Sequence, residues 1–165
     1  EGVQKKQIEA LSNQLEHIKS FKTDYDSRLN KFARDFQYLS SAFSINRQDL
    51  LKNYQEIRAS ITDYDDLLRE IKELTISRDK SVDDKRTLFD KKRDNWNSQE
   101  VQGEVKALNE DIADSDNKIR SKLTIVQNHR RENQYKANKN ISNAMLNILD
   151  WFERYPDIVK NITQA

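Results

Sequence analysis

The sequence predicts an all-α fold, an elongated antiparallel coiled-coil bundle of three long helices that dimerises. Glycine and proline, which interrupt helices, are scarce, because the 165 residues include only two glycines and one proline. Apolar residues recur at spacings of three and four along most of the chain, which places them on one face of a helix. Charged residues make up 35% of the chain, as expected for helices with a thin apolar stripe and a wide solvated face.

The first predicted helix covers about residues 5–43. Two apolar rows repeat there every seven residues, as in the seam of a coiled coil. The first row holds Ile8, Leu15, Leu29, Phe36 and Phe43, and the second holds Leu11, Ile18, Tyr25, Phe32 and Leu39. Lys22 interrupts the first row. A stripe this thin buries little surface in one copy, so we expect a second copy to supply the missing burial.

The second predicted helix covers about residues 49–96, and the third covers about residues 99–155. Either Ser44 or Asn46 is expected to cap the second helix, because both side chains can accept a hydrogen bond from a free backbone N–H group. Since the connections between these long helices are short, neighbouring helices are expected to be antiparallel. We expect residues 1–165 to form one domain, a fragment of a longer protein, because the chain begins without methionine.

The ends of the third predicted helix are marked by two residues. Ser98 follows an Asn-Trp-Asn break and is expected to cap the helix. Pro156 is expected to stop it, because proline lacks a backbone N–H group. If the second and third helices fold back about Ser98, position i lies level with roughly position 198 minus i. Basic and acidic stretches then face each other twice along the hairpin, which supports this register.

No feature of the sequence is typical of an enzyme. The two histidines, His17 and His129, lie on different predicted helices, and no glycine-rich phosphate loop is present. Cysteine is absent, which excludes a cysteine-ligated zinc site and a disulfide scaffold. We therefore expect no catalytic centre, no metal site and no cofactor. The formal net charge of +1 gives no support to a nucleic-acid partner.

Two groups of basic residues are candidates for contact with an anionic membrane, where each basic group contributes about 1 kcal/mol. The first group lies near the second predicted helix end and comprises Lys85, Arg86, Lys91, Lys92 and Arg93. The second group lies on the third helix and comprises Arg130, Arg131, Lys136 and Lys139. The alternative for both groups is neutralisation by acidic residues of the facing helix. Trp96 either dips into the membrane interface or closes the end of the hairpin.

Large apolar residues concentrate at the ends of the first and third predicted helices, and the hairpin geometry brings these ends together. We predict that this cluster forms a dimer interface. The alternative is a well-packed end of a single bundle. The residues concerned are Phe32, Phe36, Phe43, Met145, Leu149, Trp151, Phe152 and Tyr155.

Three stretches resemble a BAR domain, and most closely the BAR region of a sorting nexin. DYDDLLREIKELTISRDKSVDDKRTLFDKKRDNW (63–96) resembles the second helix of that family near its tip. KIRSKLTIVQNHRRENQYKANKNISNAMLNILDWFERY (118–155) resembles its third helix, and LNKFARDFQYLSSAF (29–43) resembles the end of its first. The likeness covers most of the chain and is one of pattern.

The resemblance implies a homodimer, or a heterodimer with a related chain, that senses or imposes curvature on anionic membranes. It also implies a cytoplasmic protein that is peripheral on endosomal or other organelle membranes and takes part in protein transport. The alternative function is a structural coiled-coil scaffold or tether that mediates protein–protein assembly without binding lipid. The two functions differ in where the basic side chains gather on the folded chain.

Overall fold

The computed structural model describes residues 2–163, and the side chains of residues 2–161, as an all-helical chain. Its helix content is 92%, and the described residues contain no strand. The predicted all-α class is therefore confirmed. The α-helices are α1 (Gly2–Ser40), α2 (Arg47–Lys91), α3 (Gln99–Val126), α4 (His129–Arg154) and α5 (Pro156–Thr163), and a 3-10 helix covers Arg93–Asn95.

The third predicted helix is two helices, α3 and α4, separated by Gln127 and Asn128. The prediction of one continuous helix was wrong because the apolar spacing continues across the break. Asn128 begins α4 as its cap, since its Oδ1 accepts hydrogen bonds from the backbone N–H groups of Arg130 (3.0 Å) and Arg131 (3.3 Å). These two bonds offset the loss of helical hydrogen bonding at the break.

Two other helix starts follow the predicted capping chemistry. The hydroxyl of Ser98 accepts a hydrogen bond from the backbone N–H of Val101 at 3.3 Å and caps α3, as predicted. Of the two candidates for α2, Asn46 is the cap, because its Oδ1 accepts from the N–H of Asp49 at 2.8 Å. Pro156 follows the end of α4 but also begins α5. In the first turn of a helix the backbone N–H groups have no partner within the helix, so proline costs no hydrogen bond there.

The chain divides into two compact units. The first unit combines residues up to Glu56 with those from Asn140 onward, and the second unit comprises Ile57–Lys139. The helices α2 and α4 therefore contribute residues to both units.

The core of the first unit joins α1, α2, α4 and α5. Phe32 and Trp151, which were predicted to meet, have ring centroids 4.8 Å apart. Most of the buried side chains around them are apolar, and Ser142 of α4 is buried among them. The larger apolar members are Phe32, Leu39, Leu50, Met145, Ile148, Trp151 and Val159.

The helix α1 runs in the opposite sense to α4. The side-chain amide of Asn147 donates to the carboxylate of Asp35 at 2.8 Å, whereas Tyr25, ten residues earlier, contacts Tyr155 with centroids 6.3 Å apart. If all helices adjacent in the sequence were antiparallel, as expected, α1 would run parallel to the third predicted helix. That expectation was wrong for α1. The physical reason is the connection 41–46, whose six residues can span about 20 Å, so α2 need not begin beside the end of α1.

In the second unit, α2 runs antiparallel to α3, as predicted. Arg78 Nη1 lies 3.1 Å from the Asp116 carboxylate, and Lys122 Nζ lies 2.7 Å from that of Glu70. Both pairs lie within six residues of the predicted register and join opposite charges across the hairpin. The hydrogen bond from Lys122 lowers the pKa of Glu70, and the bonds to Asp116 and Asp79 raise the pKa of Arg78.

Candidate functional site

The connection between α2 and α3 carries an apolar surface at its outer edge. We call residues 82–96 the tip. The ring of Phe89 meets that of Trp96 edge-on, with centroids 4.9 Å apart and planes at 81°. Phe89 remains 41% exposed, and Val82 beside it is also exposed. The tip therefore presents an aromatic pair with one ring half open to solvent.

Local hydrogen bonds hold Trp96 in this position. The side-chain amide of Gln102, on the first turn of α3, donates to the Trp96 carbonyl at 2.6 Å. Together with the hydrogen bond from the Val101 N–H to the Ser98 hydroxyl, this bond holds the loop against the start of α3. Trp96 is half-buried, so it closes the hairpin by packing, as one of the two sequence interpretations held.

Basic side chains surround the aromatic pair. The Arg93 guanidinium lies over the Phe89 ring at 5.2 Å and pairs with Asp90 at 3.7 Å. Lys85 and Arg86 line a shallow cleft beside Phe89 and Trp96. Among the described residues, Arg93 is the one basic residue of the tip that forms an ion pair, and its partner is Asp90. The remaining two candidates, Lys91 and Lys92, are exposed.

The acidic residues expected to neutralise the tip do not pair with it. Glu100, Glu104 and Glu110 lie on the exposed face of α3, and within the described part of the chain they form no ion pair with the tip. Four aspartates lie within the tip itself, which reduces its formal net charge to +1, five basic against four acidic residues. These are Asp83, Asp84, Asp90 and Asp94.

The second basic group has local partners on α4. Lys136 Nζ lies 3.2 Å from the Glu132 carboxylate, one helical turn away. Lys139 Nζ lies 4.4 Å from the centroid of the Tyr135 ring, and its hydrogen bond to Tyr135 raises the pKa of Lys139. Arg130 and Arg131 lie in the first turn of α4 and remain exposed. The partners of these lysines are thus neighbours on the same helix.

The structure does not bring the two basic groups together. Tyr135 stacks on Tyr64 of α2, with centroids 4.1 Å apart. The tip begins eighteen residues further along α2, at Val82, which corresponds to about 27 Å along a helix. The two groups therefore form separate patches within the second unit.

A tyrosine cluster holds the break between α3 and α4. The Tyr64 hydroxyl donates to the Val126 carbonyl at 2.9 Å, one of the carbonyls left without a helical partner where α3 ends. The Tyr135 hydroxyl donates to the Asp65 carboxylate. Burial of Tyr64 is the largest cause of its raised pKa, and the charge of nearby Glu132 raises that pKa further. This role of Tyr64 was not predicted from the sequence.

The residues predicted to form the dimer interface lie in the first unit. Phe32, Met145 and Trp151 are buried within the single chain. The other five, Phe36, Phe43, Leu149, Phe152 and Tyr155, are half-buried. A partner would reach only part of this cluster, so the predicted interface stays a prediction, and much of its apolar area is already used inside the unit.

Exposed apolar residues of α1 form a different surface. We call Ile8, Leu11, Leu15 and Ile18 the seam. They continue the two seven-residue rows of α1 and are between 53% and 68% exposed. Every residue from Gly2 to Asp24 is exposed. The rows were visible in the sequence, but their lack of cover was not.

The described residues contain no group of three or more histidine, aspartate or glutamate side chains placed to hold a metal ion. Within the same part of the chain, no helix has the length and apolarity needed to cross a bilayer. Comparisons with models of known families, with curated proteins and with solved structures find no match to this chain. The tip and the seam are therefore interpreted from their own geometry.

Proposed function

We propose that this chain is a peripheral membrane module that contacts anionic bilayers through its tip. As a dimer in an endosomal or other trafficking protein, it would respond to membrane curvature. The observation that supports this proposal is the half-exposed Phe89 beside Trp96, with Arg93 over its ring, Lys85 and Arg86 in the adjoining cleft, and the exposed Lys91 and Lys92 close by in the sequence. No other part of the second unit combines an exposed aromatic ring with so many unpaired basic side chains among its described residues.

The chemistry of the tip suits the boundary between headgroups and acyl chains. Aromatic rings are favoured at that boundary. Lysine and arginine side chains can extend their charged ends toward phosphates while their methylene stems lie against apolar surface. Because the aspartates of the tip leave a net charge of only +1, long-range attraction is weak. Binding would therefore depend on the apolar contact of Phe89 together with close contacts between basic groups and phosphates.

The alternative function is a coiled-coil scaffold or tether that assembles proteins without binding lipid. The exposed seam favours this alternative, because such an apolar row fits another helix. The two functions are separated by whether the tip is needed for association with lipid.

The test is sedimentation with vesicles of 70% phosphatidylcholine and 30% phosphatidylserine at low and physiological salt. The variant Lys91→Glu, Lys92→Glu, Arg93→Glu is expected to lower the vesicle partition coefficient at least about tenfold, since each basic group in contact contributes about 1 kcal/mol. Phe89→Ser is expected to weaken binding at both salt concentrations, because the apolar contact is not screened. A preference for small over large vesicles would support the response to curvature.

The matched control reverses three exposed basic residues outside the tip, Lys52→Glu, Lys72→Glu and Arg120→Glu. Both triple variants change the net charge equally, so a loss confined to the tip variant assigns the effect to position. Equal losses in the two variants would contradict the tip as the contact site. If the wild-type chain ignores vesicles of every diameter, the membrane function is wrong and the scaffold alternative replaces it.

A further inference from the structure

The helix α1 carries one continuous pair of heptad rows that is covered along only part of its length. From Tyr25 onward the rows pack inside the first unit, where Tyr25 contacts Trp151 and Tyr155, and Phe32 and Leu39 are buried. The seam continues the same rows toward the N-terminus but is exposed, with no cover from the described part of the chain. An apolar row that is buried at one end and bare at the other is the expected geometry of an incomplete coiled coil.

We infer that the seam binds the seam of a second copy of this chain, forming an antiparallel two-helix coiled coil. This inference deepens the proposed function by naming the surface that joins two copies. It rests on the geometry of α1 and does not depend on lipid binding.

The heptad spacing of α1 favours another helix as the occupant of the seam. The seam residues occupy heptad positions a and d, the pattern of a coiled-coil interface, and the exposed Val3 and Phe21 lie beside them. The e and g positions that flank the seam hold the uncharged Gln7, Ser12 and Gln14 at its centre and Lys5 and Lys19 toward its ends.

A second copy supplies a matching surface of the same length. The four seam residues fall within eleven consecutive positions of α1, whereas the exposed apolar residues of α2 in the second unit are spread from Leu68 to Phe89. Identical seams pair symmetrically, so both copies bury their exposed rows in one closed interface and leave no row free.

Sterics fix the relative direction of the two copies. From Tyr25 onward, the seam face of α1 is occupied by α4 of the same chain. A parallel copy would bring its own α4 to the same place, where both cannot fit beside helices about 10 Å apart. An antiparallel copy directs its covered half away, so only the bare segments lie side by side.

The order of residues supports an antiparallel register centred on Asn13. In this register Ile8 faces Ile18 of the partner subunit, and Leu11 faces Leu15 of the partner subunit. The next positions of the same rows are Gln4 and Lys22, which face each other at both ends, so polar residues bracket the apolar layers symmetrically. One unfavourable contact remains, because Lys5 lies near Lys19 of the partner subunit.

The first test measures mass by light scattering as a function of concentration. The 19.6 kDa chain is expected to approach twice its mass, and the variant Leu11→Gln, Leu15→Gln is expected to remain a monomer. The matched control is Ile76→Gln, Leu146→Gln, which alters two other exposed aliphatic residues and should leave the dimer intact. Because all four side chains are exposed, both variants should unfold as the wild type does when all are compared by far-ultraviolet circular dichroism at a concentration too low for the dimer.

Two further variants test the direction. Lys19→Glu places a carboxylate near Lys5 of the partner subunit and is expected to tighten the antiparallel dimer about fivefold, since two like-charge contacts become attractive. In a parallel pair Lys19 would face Gln14 of the partner subunit, and affinity would not change. The chain has no cysteine, so Gln14→Cys should cross-link through a short bis-maleimide near the twofold axis, whereas the outward-facing Asn13→Cys should not.

A wild-type chain that stays monomeric at high concentration would overturn the inference, as would a dimer that survives the seam variant. A seam-dependent dimer that ignores Lys19→Glu and does not cross-link at position 14 would overturn the antiparallel arrangement. Association through the seam only when vesicles are present would assign the seam to lipid and also overturn the inference. A stable dimer that ignores vesicles would instead contradict the proposed function alone.

Discussion

Replacing Phe32 by alanine is expected to lower the free energy of unfolding of the first unit by about 3–5 kcal/mol. Phe32 is 1% exposed, and its ring lies 4.8 Å from Trp151 and 6.0 Å from Phe36, measured between centroids. Alanine would leave a cavity where α1 meets α4 and remove both ring contacts. Since domains are stable by only about 5–15 kcal/mol, the loss is a large share of the total.

The two tryptophans allow the units to be followed separately. Trp151 lies in the first unit and Trp96 in the second, so Trp151 emission in a Trp96→Phe background reports urea unfolding of the first unit. Phe21→Ala is the matched control, because Phe21 is 73% exposed and its removal should change the free energy by less than about 0.5 kcal/mol. If Phe32→Ala leaves unfolding unchanged but lowers the oligomer mass, Phe32 belongs to the dimer interface that the sequence predicted.

Replacing Tyr135 by alanine is expected to lower the free energy of unfolding of the second unit by about 2–3 kcal/mol. The substitution removes the stacked contact with Tyr64 and the hydrogen bond from the Tyr135 hydroxyl to Asp65. An aromatic pair contributes about 0.5–1.5 kcal/mol beyond the area it buries, and the lost burial and hydrogen bond supply the rest. The break between α3 and α4 would then lose one of its two tyrosine supports.

Tyr135→Phe separates the ring from the hydroxyl. Phenylalanine keeps the stack on Tyr64 and the position of Lys139 over the ring, so its cost is expected to be about 1 kcal/mol or less. Trp96 emission in a Trp151→Phe background reports the second unit, and Tyr38→Ala is the control at an exposed tyrosine. Equal losses for Tyr135→Phe and Tyr135→Ala would show that the hydroxyl, and not the stack, stabilises the break.

The features of the fold that could be predicted are those set by residues close together in the sequence. Ser98 was predicted as a cap, and Asn46 was one of two candidates with Ser44, because capping needs only a short polar side chain before an apolar periodic segment. The hairpin register was predicted within six residues because the break before Ser98 gives the point where the chain folds back, and the facing opposite charges, such as Arg78 and Asp116, support it.

The break at Gln127 and Asn128 was not predicted, because the three–four spacing of apolar residues passes through it without interruption. The direction of α1 was also not predicted, since a six-residue connection allows more than one placement of the next helix. Which residues of α1 are buried could likewise not be predicted from the sequence. Ile8 and Phe32 belong to equivalent heptad rows, yet one is exposed and the other buried, because cover depends on where α4 lies.

The candidate site was predicted in part. The five basic residues of the tip were identified by their position before the α2–α3 connection, but their freedom from Glu100, Glu104 and Glu110 required the structure. The pairing of Lys136 with Glu132 was visible in principle, because the two residues are spaced four apart on one helix.

The bare part of α1 has a consequence for hydrogen exchange. Residues 2–24 form a helix in which every residue is exposed, and a helix that depends on its own hydrogen bonds is only marginally stable in water. Its amide protons should therefore exchange with solvent far faster than those around the buried Ile148. Any partner that covers this segment would slow the exchange. Deuterium uptake by residues 2–24 therefore reports whether this segment is covered, in solution or on a vesicle. The measurement needs no label on the chain.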